Sequence, residues 1–225
     1  MSVTVDPAAS LEEACRRLGI SLPRERRGLL LEYLAQLQRW NRTYNLTAIR
    51  DPAQMLVQHL YDSLSLAGPL ERELSAQGDG GPAAILDVGS GGGLPGAVLA
   101  IARPDWTVSC VDAVEKKTAF VRQAAAVLGL SNLDAVHARV ESLPPAECHA
   151  VVSRAFASLA DFASLAGRHV RNDGTLVAMK GREPREEIAA LQQQGVWRVE
   201  RVEPLIVPEL DAQRCLVWMR RKGTP

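Results

Sequence analysis

Nowhere does the chain offer the ~18 consecutive apolar residues that a membrane-spanning helix needs. Gly, Pro, Gln and Ser interrupt every charge-free stretch. The opening MSVTVDPAASLEEACRR lacks the basic-then-apolar order of a secretory signal. There is no CxxC pair: Cys15, Cys110, Cys148 and Cys215 lie 95, 38 and 67 residues apart, which excludes a local thiolate clip or dithiol redox centre. Reduced, mostly buried thiols in a cytoplasmic protein are therefore expected, with no bound metal and no membrane partner. Net charge is absent too, 26 basic side chains balancing 26 acidic ones, so no global field attracts a polyanion. What remains is a chain of 225 residues, 47% hydrophobic, without repeats or low-complexity segments, which fits a globular protein with one sizeable core.

The zero sum hides an uneven distribution. Residues 1–50 carry eight Arg against five acids, residues 51–100 one Arg against six, and the last 25 residues five basic against three acidic groups. A polyanion would have to meet a local patch. Residues 1–76 read as a helical extension and 77–225 as a second, larger domain. After Leu22-Pro23, the set Leu29, Leu30, Tyr33, Leu34, Leu37 and Trp40 follows three- and four-residue spacing and predicts an apolar helix stripe. Asp51-Pro52 predicts the start of another helix, with Met55, Leu56, His59, Leu60, Ser63 and Leu64 on one side. The run Gln77-Gly78-Asp79-Gly80-Gly81-Pro82 breaks regular structure.

From Ala83 onward, short apolar runs alternate with helix-like segments. Strands are expected at 84–88, 107–111, 133–137, 150–153, 176–179, 196–202 and 215–219, and helices at 95–102, 116–128, 159–169 and 184–194. This alternation predicts an α/β fold with a doubly wound, Rossmann-like sheet, mostly parallel. The last two strands, with no helix between them, form an antiparallel pair at one edge.

The turn Ile85-Leu86-Asp87-Val88-Gly89-Ser90-Gly91-Gly92-Gly93-Leu94-Pro95-Gly96 joins the first strand to the first helix of this part, so a cofactor belongs over the carboxyl ends of the strands. Gly91-x-Gly93-x-x-Gly96 matches the dinucleotide fingerprint, and Asp112 follows Gly91 by 21 residues, where a ribose hydroxyl would be met. Asp87 argues against a dinucleotide. A carboxylate at the strand tip would face a pyrophosphate of like charge, whereas S-adenosylmethionine brings an ammonium and a sulfonium. Glycines let the backbone approach such a ligand closely, and Asp112 can accept from both ribose hydroxyls.

On these residues the segment Asp87 to Gly96 resembles the first motif of class I S-adenosylmethionine-dependent methyltransferases. More narrowly, the chain resembles the RsmG (GidB) family of ribosomal RNA guanine-N7 methyltransferases. The likeness rests on Trp40-Asn41-Arg42-Thr43-Tyr44-Asn45-Leu46-Thr47-Ala48-Ile49, His59-Leu60-Tyr61-Asp62-Ser63-Leu64, Leu86 to Gly96, Arg139-Val140-Glu141, Ser153-Arg154-Ala155-Phe156-Ala157-Ser158-Leu159 and Lys180-Gly181. It implies methyl transfer from S-adenosylmethionine to N7 of a guanine in the 530 loop of 16S small-subunit ribosomal RNA, with the RNA or the ribosomal subunit as partner.

The resemblance also assigns roles. Asp87, Gly89, Gly91, Leu94 and Asp112 would hold the cofactor, with Val140 and Glu141 at its adenine. Arg154, after the fourth strand, would be the catalytic residue and could also meet the cofactor carboxylate, a phosphate or guanine O6. The segment Ser153-Arg154-Ala155-Phe156 is neither the Asn/Asp-Pro-Pro-aromatic turn of enzymes that methylate exocyclic amines nor a Cys nucleophile site. His59 is expected to close the crevice with Asp62 and to touch substrate, Lys180 and Arg182 to contact phosphates, and Phe156 to be buried. Arg24, Arg26, Arg27, Arg39, Arg42 and Arg185 are further basic candidates, with exposed ion pairs the expected fate of Arg26 and Arg27. Two other readings stand beside this one: a cofactor- or ribosome-binding protein without catalysis, and an NAD-dependent dehydrogenase. Oligomeric state is not legible.

Overall fold

The structure is a computed structural model, and it describes residues 6–78, 82–154, 156 and 158–223. Seven strands form one sheet: β1 (Ala84–Val88), β2 (Thr107–Asp112), β3 (Leu133–His137), β4 (Cys148–Ser153), β5 (Val170–Lys180), β6 (Trp197–Leu205) and β7 (Arg214–Arg221). Their spatial order is β3-β2-β1-β4-β5-β7-β6. The first five pair in parallel, and β7 runs antiparallel to both neighbours. The order reverses between β1 and β4, so the glycine turn that leaves β1 opens at the topological switch point.

The antiparallel pair lies at the edge, as its missing helix predicts, but the chain's last strand is the inner one of the two. Residues 215–219 are all buried, as a strand covered on both faces requires. The outer β6 presents Glu200 and Arg201 to solvent, and charge on an edge strand discourages pairing with another sheet.

The strands divide their side chains between two apolar layers. Ile85, Val108, Val152 and Trp218 face one, while Leu86, Val111, Val151 and Val217 face the other. Into the first layer pack α1 (Pro7–Arg17), α2 (Arg24–Tyr44), α5 (Ala67–Gln77), α6 (Gly96–Ala102) and α7 (Glu115–Leu128). The second receives α8 (Leu159–Ala166) and α9 (Arg185–Gln193). Of the predicted stripe on α2, Leu30, Tyr33 and Leu37 are buried, and Leu29, Leu34 and Trp40 pack partly buried against the same core.

The helix expected at Asp51-Pro52 begins there, with the Asp51 carboxylate accepting from the Gln54 amide. It continues as α3 (Pro52–Met55), a π-helical stretch (Leu56–Tyr61) and α4 (Asp62–Leu64). All six residues assigned to its inner side are buried. The π stretch was not foreseen, because three- and four-residue spacing does not register one inserted residue. β5 begins at Val170, not Leu176, since the polar Arg171-Asn172-Asp173 run masks a strand that is exposed at its start. The centre of the Gly-rich break, residues 79–81, lies outside the described residues, as do Ala155 and Ala157 of the 153–159 motif.

Leu60 is fully buried in the layer that joins the N-terminal helices to the sheet. Replacing Leu60 with Ala should cost about 2–5 kcal/mol in urea unfolding. The transition should be the same by far-ultraviolet dichroism and tryptophan fluorescence. Two separated transitions would show the helices and the sheet folding apart.

Candidate active site

The turn after β1 takes its shape from its glycines. Gly89, Gly91 and Gly93 have φ of 69°, 59° and 87°, the left-handed region that side chains with a Cβ rarely enter. The Gly89 amide donates to the carbonyl of Val111 at 2.8 Å and the Gly91 amide to the Asp112 carboxylate at 2.9 Å, so the turn is pinned to the end of β2. Tyr33 of α2 donates a short hydrogen bond to the Gly92 carbonyl from the other side. At Gly96 a Cβ would lie 2.5 Å from the Cys110 sulfur and 2.9 Å from Asp87 Oδ2, so only glycine lets α6 start this close to β1. At Gly91 a Cβ would meet nothing within 4 Å, because that residue opens onto a cleft of about 240 Å³.

Leu37, Leu46, Thr47, His59, Ser90, Leu94, Lys117 and Arg154 complete the cleft with Gly89, Gly91 and Gly92. Of the residues assigned by sequence, Gly89, Gly91, Leu94, His59 and Arg154 therefore meet in one place. Leu37, Leu46, Thr47 and Lys117 were missed, and only Leu46 and Thr47 lay in a motif that could have flagged them. The motif's fold explains their presence. Asn45 ends α2 in the left-handed conformation (φ 49°). The Asn41 side chain then accepts from the Thr47 amide at 2.9 Å and donates to the Ile49 carbonyl at 3.3 Å, turning Leu46 and Thr47 into the cleft.

Asp87 is fully buried and does not line the cleft. Its Oδ2 accepts from the Gly96 amide at 2.8 Å, where α6 begins, while Oδ1 has no partner among the described residues. Burial pushes its pKa up to about 7, against the lowering effects of the Gly96 amide and Arg154. Asp112 accepts from the amides of Gly91 and Val114, with Lys117 Nζ 3.8 Å away. It thus shapes the turn, and, like Asp87, it is buried and is not among the residues that line the cleft. Val140 is buried in a short 3-10 turn (Val140–Ser142) after β3, its carbonyl 2.9 Å from His169 Nε2, and Glu141 is exposed beside it. Neither touches the cleft.

On the opposite wall, His59 Nε2 stands 3.1 Å from the Thr47 hydroxyl, and its buried Nδ1 has no partner among the described residues. Burial first, then Arg154, lowers its pKa to about 4, so the ring is neutral at pH 7. Arg154 Nη1 donates to the Gln58 carbonyl and to Asp62 Oδ2, both at 3.0 Å. The other oxygen of Asp62 accepts from Arg214 Nε at 2.9 Å. Arg214, at the start of β7 and far from any motif, was invisible to sequence reading.

The basic residues after β5 part company. Lys180 Nζ pairs with Glu187 at 2.8 Å and donates to the Phe156 carbonyl at 3.1 Å. The same Glu187 oxygen accepts from the Leu159 amide at 2.9 Å. The Lys180 charge thus ties the segment after Arg154 to α9. Arg182 is exposed. Phe156, expected to be buried, is half-buried and stacks on Phe162 with ring centroids 5.1 Å apart. Arg27, for which an exposed ion pair was expected, is half-buried: it pairs with Glu12 at 3.2 Å and donates to the Leu22 carbonyl at 2.6 Å.

Comparison with known proteins places this geometry. The family model described as rRNA small subunit methyltransferase G (GidB) matches residues 26–217. Ribosomal RNA small subunit methyltransferase G of Bordetella pertussis is 66% identical over 215 residues, covering 96% of this chain and 94% of the relative. The protein of the same name from Bordetella avium is 63% identical over 225 residues, covering 100% and 98%. Among solved structures, a Burkholderia thailandensis 1,6-didemethyltoxoflavin-N1-methyltransferase aligns with TM-score 0.57 at 15% identity, covering 90% of this chain and 91% of that one. A SAM-dependent methyltransferase from Aquifex aeolicus aligns with TM-score 0.54 at 18% identity, covering 78% and 96%. These two share the fold. From the match over residues 26–217 and the identity over nearly its whole length, the chain belongs to the rRNA small subunit methyltransferase G (GidB) family.

Proposed function

We propose that this chain, working in the cytoplasm, transfers the methyl group of S-adenosylmethionine to N7 of a guanine in the 530 loop of small-subunit ribosomal RNA. Family membership supports the reaction class and sets aside the dehydrogenase reading. The observation that carries the proposal is the pinned glycine turn, opening at the switch point onto a cleft whose far wall is Arg154 and His59.

The residues present fit the cofactor. Gly91 leaves open space where a side chain would intrude, and the unpartnered Oδ1 of Asp87 is a buried acceptor one turn from the cleft. When bound, S-adenosylmethionine supplies an electrophilic methyl on a sulfonium. Gly89, Gly91 and Leu94 would line its methionine and ribose portions, Asp87 would supply counter-charge, Asp112 would accept from the ribose, and Val140 with Glu141 would flank the adenine. In this division, residues 77–225 carry the cofactor, and residues 1–76 close the cleft through Leu37, Leu46, Thr47 and His59.

Guanine N7 already presents an in-plane lone pair, so its attack needs orientation and exclusion of water more than a base. The cleft matches that need: its described lining holds no carboxylate, and its histidine is neutral. Arg154 would orient the acceptor guanine, His59 would border it, and Arg182 would contact phosphate outside. Mapping methylated guanines in small-subunit ribosomal RNA from cells with and without the gene tests the whole. A 530-loop guanine methylated equally in both would overturn it.

Two expectations follow from the site. Arg154→Ala should lower the transfer rate by about 10²-fold while cofactor affinity changes little. Asp62→Asn, which loosens Arg154 without touching the cleft lining, should lose part of that factor. If affinity for cofactor falls first in single-turnover and binding assays, Arg154 holds the cofactor instead.

The other concerns Asp87. Its raised pKa means that the folded protein keeps a proton the unfolded chain gives up near pH 4. Stability from this group is thus fullest below pH 4 and is lost as pH rises toward about 7. A cationic ligand favours the carboxylate, so binding S-adenosylmethionine near pH 7 should release a proton. Calorimetry in buffers of different ionisation enthalpy reads this directly, and Asp87→Asn should abolish the buffer dependence.

A further inference from the structure

Behind the cleft lies a larger concavity, about 1260 Å³, that the proposed reaction does not use. Leu31 and Leu34 of α2, Val57 of the π stretch and Leu210 of the loop before β7 give it an apolar floor. Its charged lining residues are all acidic: Asp6, Asp51, Glu209 and Asp211, each exposed, with no Lys or Arg among its described lining. Asp6 and Asp51 are fixed in place, since each caps a helix, accepting from the Ala8 amide at 3.1 Å and the Gln54 amide at 2.9 Å. Like charge makes this groove hostile to phosphate, an unusual property for a surface of an RNA-modifying protein.

We propose that the groove docks a basic peptide segment with an apolar face, belonging to a protein component of the ribosomal particle. The floor suits the apolar face and the four carboxylates suit Lys or Arg beside it, the helix-in-groove mode with charge complementarity setting partner choice. Naked RNA offers neither. The docking site also adjoins the chemistry. Gln58 lines the groove, its carbonyl holds Arg154 at 3.0 Å, and the next residue, His59, lines the cleft. A segment seated on the π stretch therefore braces the residues that position Arg154. This inference rests on the reading of the substrate as small-subunit ribosomal RNA.

The test is the double variant Glu209→Lys with Asp211→Lys, both exposed and outside the cleft. With small ribosomal subunits as substrate, KM should rise about tenfold while kcat and S-adenosylmethionine affinity hold, and Glu209→Gln with Asp211→Asn should give a smaller rise. A fall in KM would mean that the groove only repels RNA, and an unchanged KM would equally overturn the proposal. Affinity for the same subunits, read by cosedimentation, should weaken in parallel. This second measurement decides the groove even if the wild-type protein fails to methylate, a result that would count against the proposed reaction alone. If the wild-type protein dimerises in sedimentation and the double variant does not, a second copy fills the groove and the proposal falls.

Discussion

One buried carboxylate holds the working parts of this molecule in register. Asp62 sits at the start of α4 with each oxygen on a different guanidinium, Arg154 after β4 and Arg214 at the start of β7. It thereby joins the N-terminal helices to the end of the parallel strand β4 and to the antiparallel strand β7. Removing one partner of such a buried cluster typically costs about 3–5 kcal/mol, because the remaining charge is left without compensation. The arrangement is therefore held more firmly than an exposed pair, and Arg154 inherits that rigidity. Its guanidinium is fixed by Asp62 and Gln58, which leaves its remaining donors aimed from a set position.

Two titratable groups near the cleft are neutralised by burial in opposite senses. Asp87 is pushed up to about 7 and His59 down to about 4. Their effects on stability oppose each other as pH changes. Between about pH 4 and 6.5 the unfolded chain protonates histidine while the folded protein does not, so the His59 contribution grows with pH. Over the same range the Asp87 contribution shrinks. The two trends offset each other between about pH 4 and 6.5, and above that range only the cost of the buried Asp87 acid remains. The cleft histidine is a hydrogen-bonding group with no proton to give away.

Much of this was legible because periodicity and turn chemistry are local. The three glycines announced a turn that lets the backbone approach a ligand closely, Asp51-Pro52 announced a helix start, and the apolar runs of β1, β2 and β4 announced buried parallel strands. The family motifs singled out Asn41, Thr47 and Asp62 without saying what they touch. Illegible features were those set by long-range pairing or by a departure from regular spacing. Arg214 reaches Asp62 across 152 positions of sequence. Lys180 looked like a free cation at a strand end until Glu187 was seen beside it, and the π stretch shifts which residues of 56–61 face the cleft and which face the groove. Asp87 shows the other limit: its place at the strand tip was correct, but the amide of Gly96 had turned its carboxylate beneath the turn.

The π stretch lies between the groove and the cleft and touches both. A regular α-helix from Pro52 to Leu64 would divide its residues between two faces at a fixed 100° step. The wider turn instead lets consecutive residues serve opposite surfaces: Gln58 toward the groove, His59 toward the cleft. The Gln58 carbonyl takes its hydrogen from Arg154, not solely from the helix ladder. Arg154, which lines the cleft, shares a backbone acceptor of this helix. The acidic groove and the guanidinium thus meet at the π stretch, through a single 3.0 Å hydrogen bond from Arg154 to the Gln58 carbonyl.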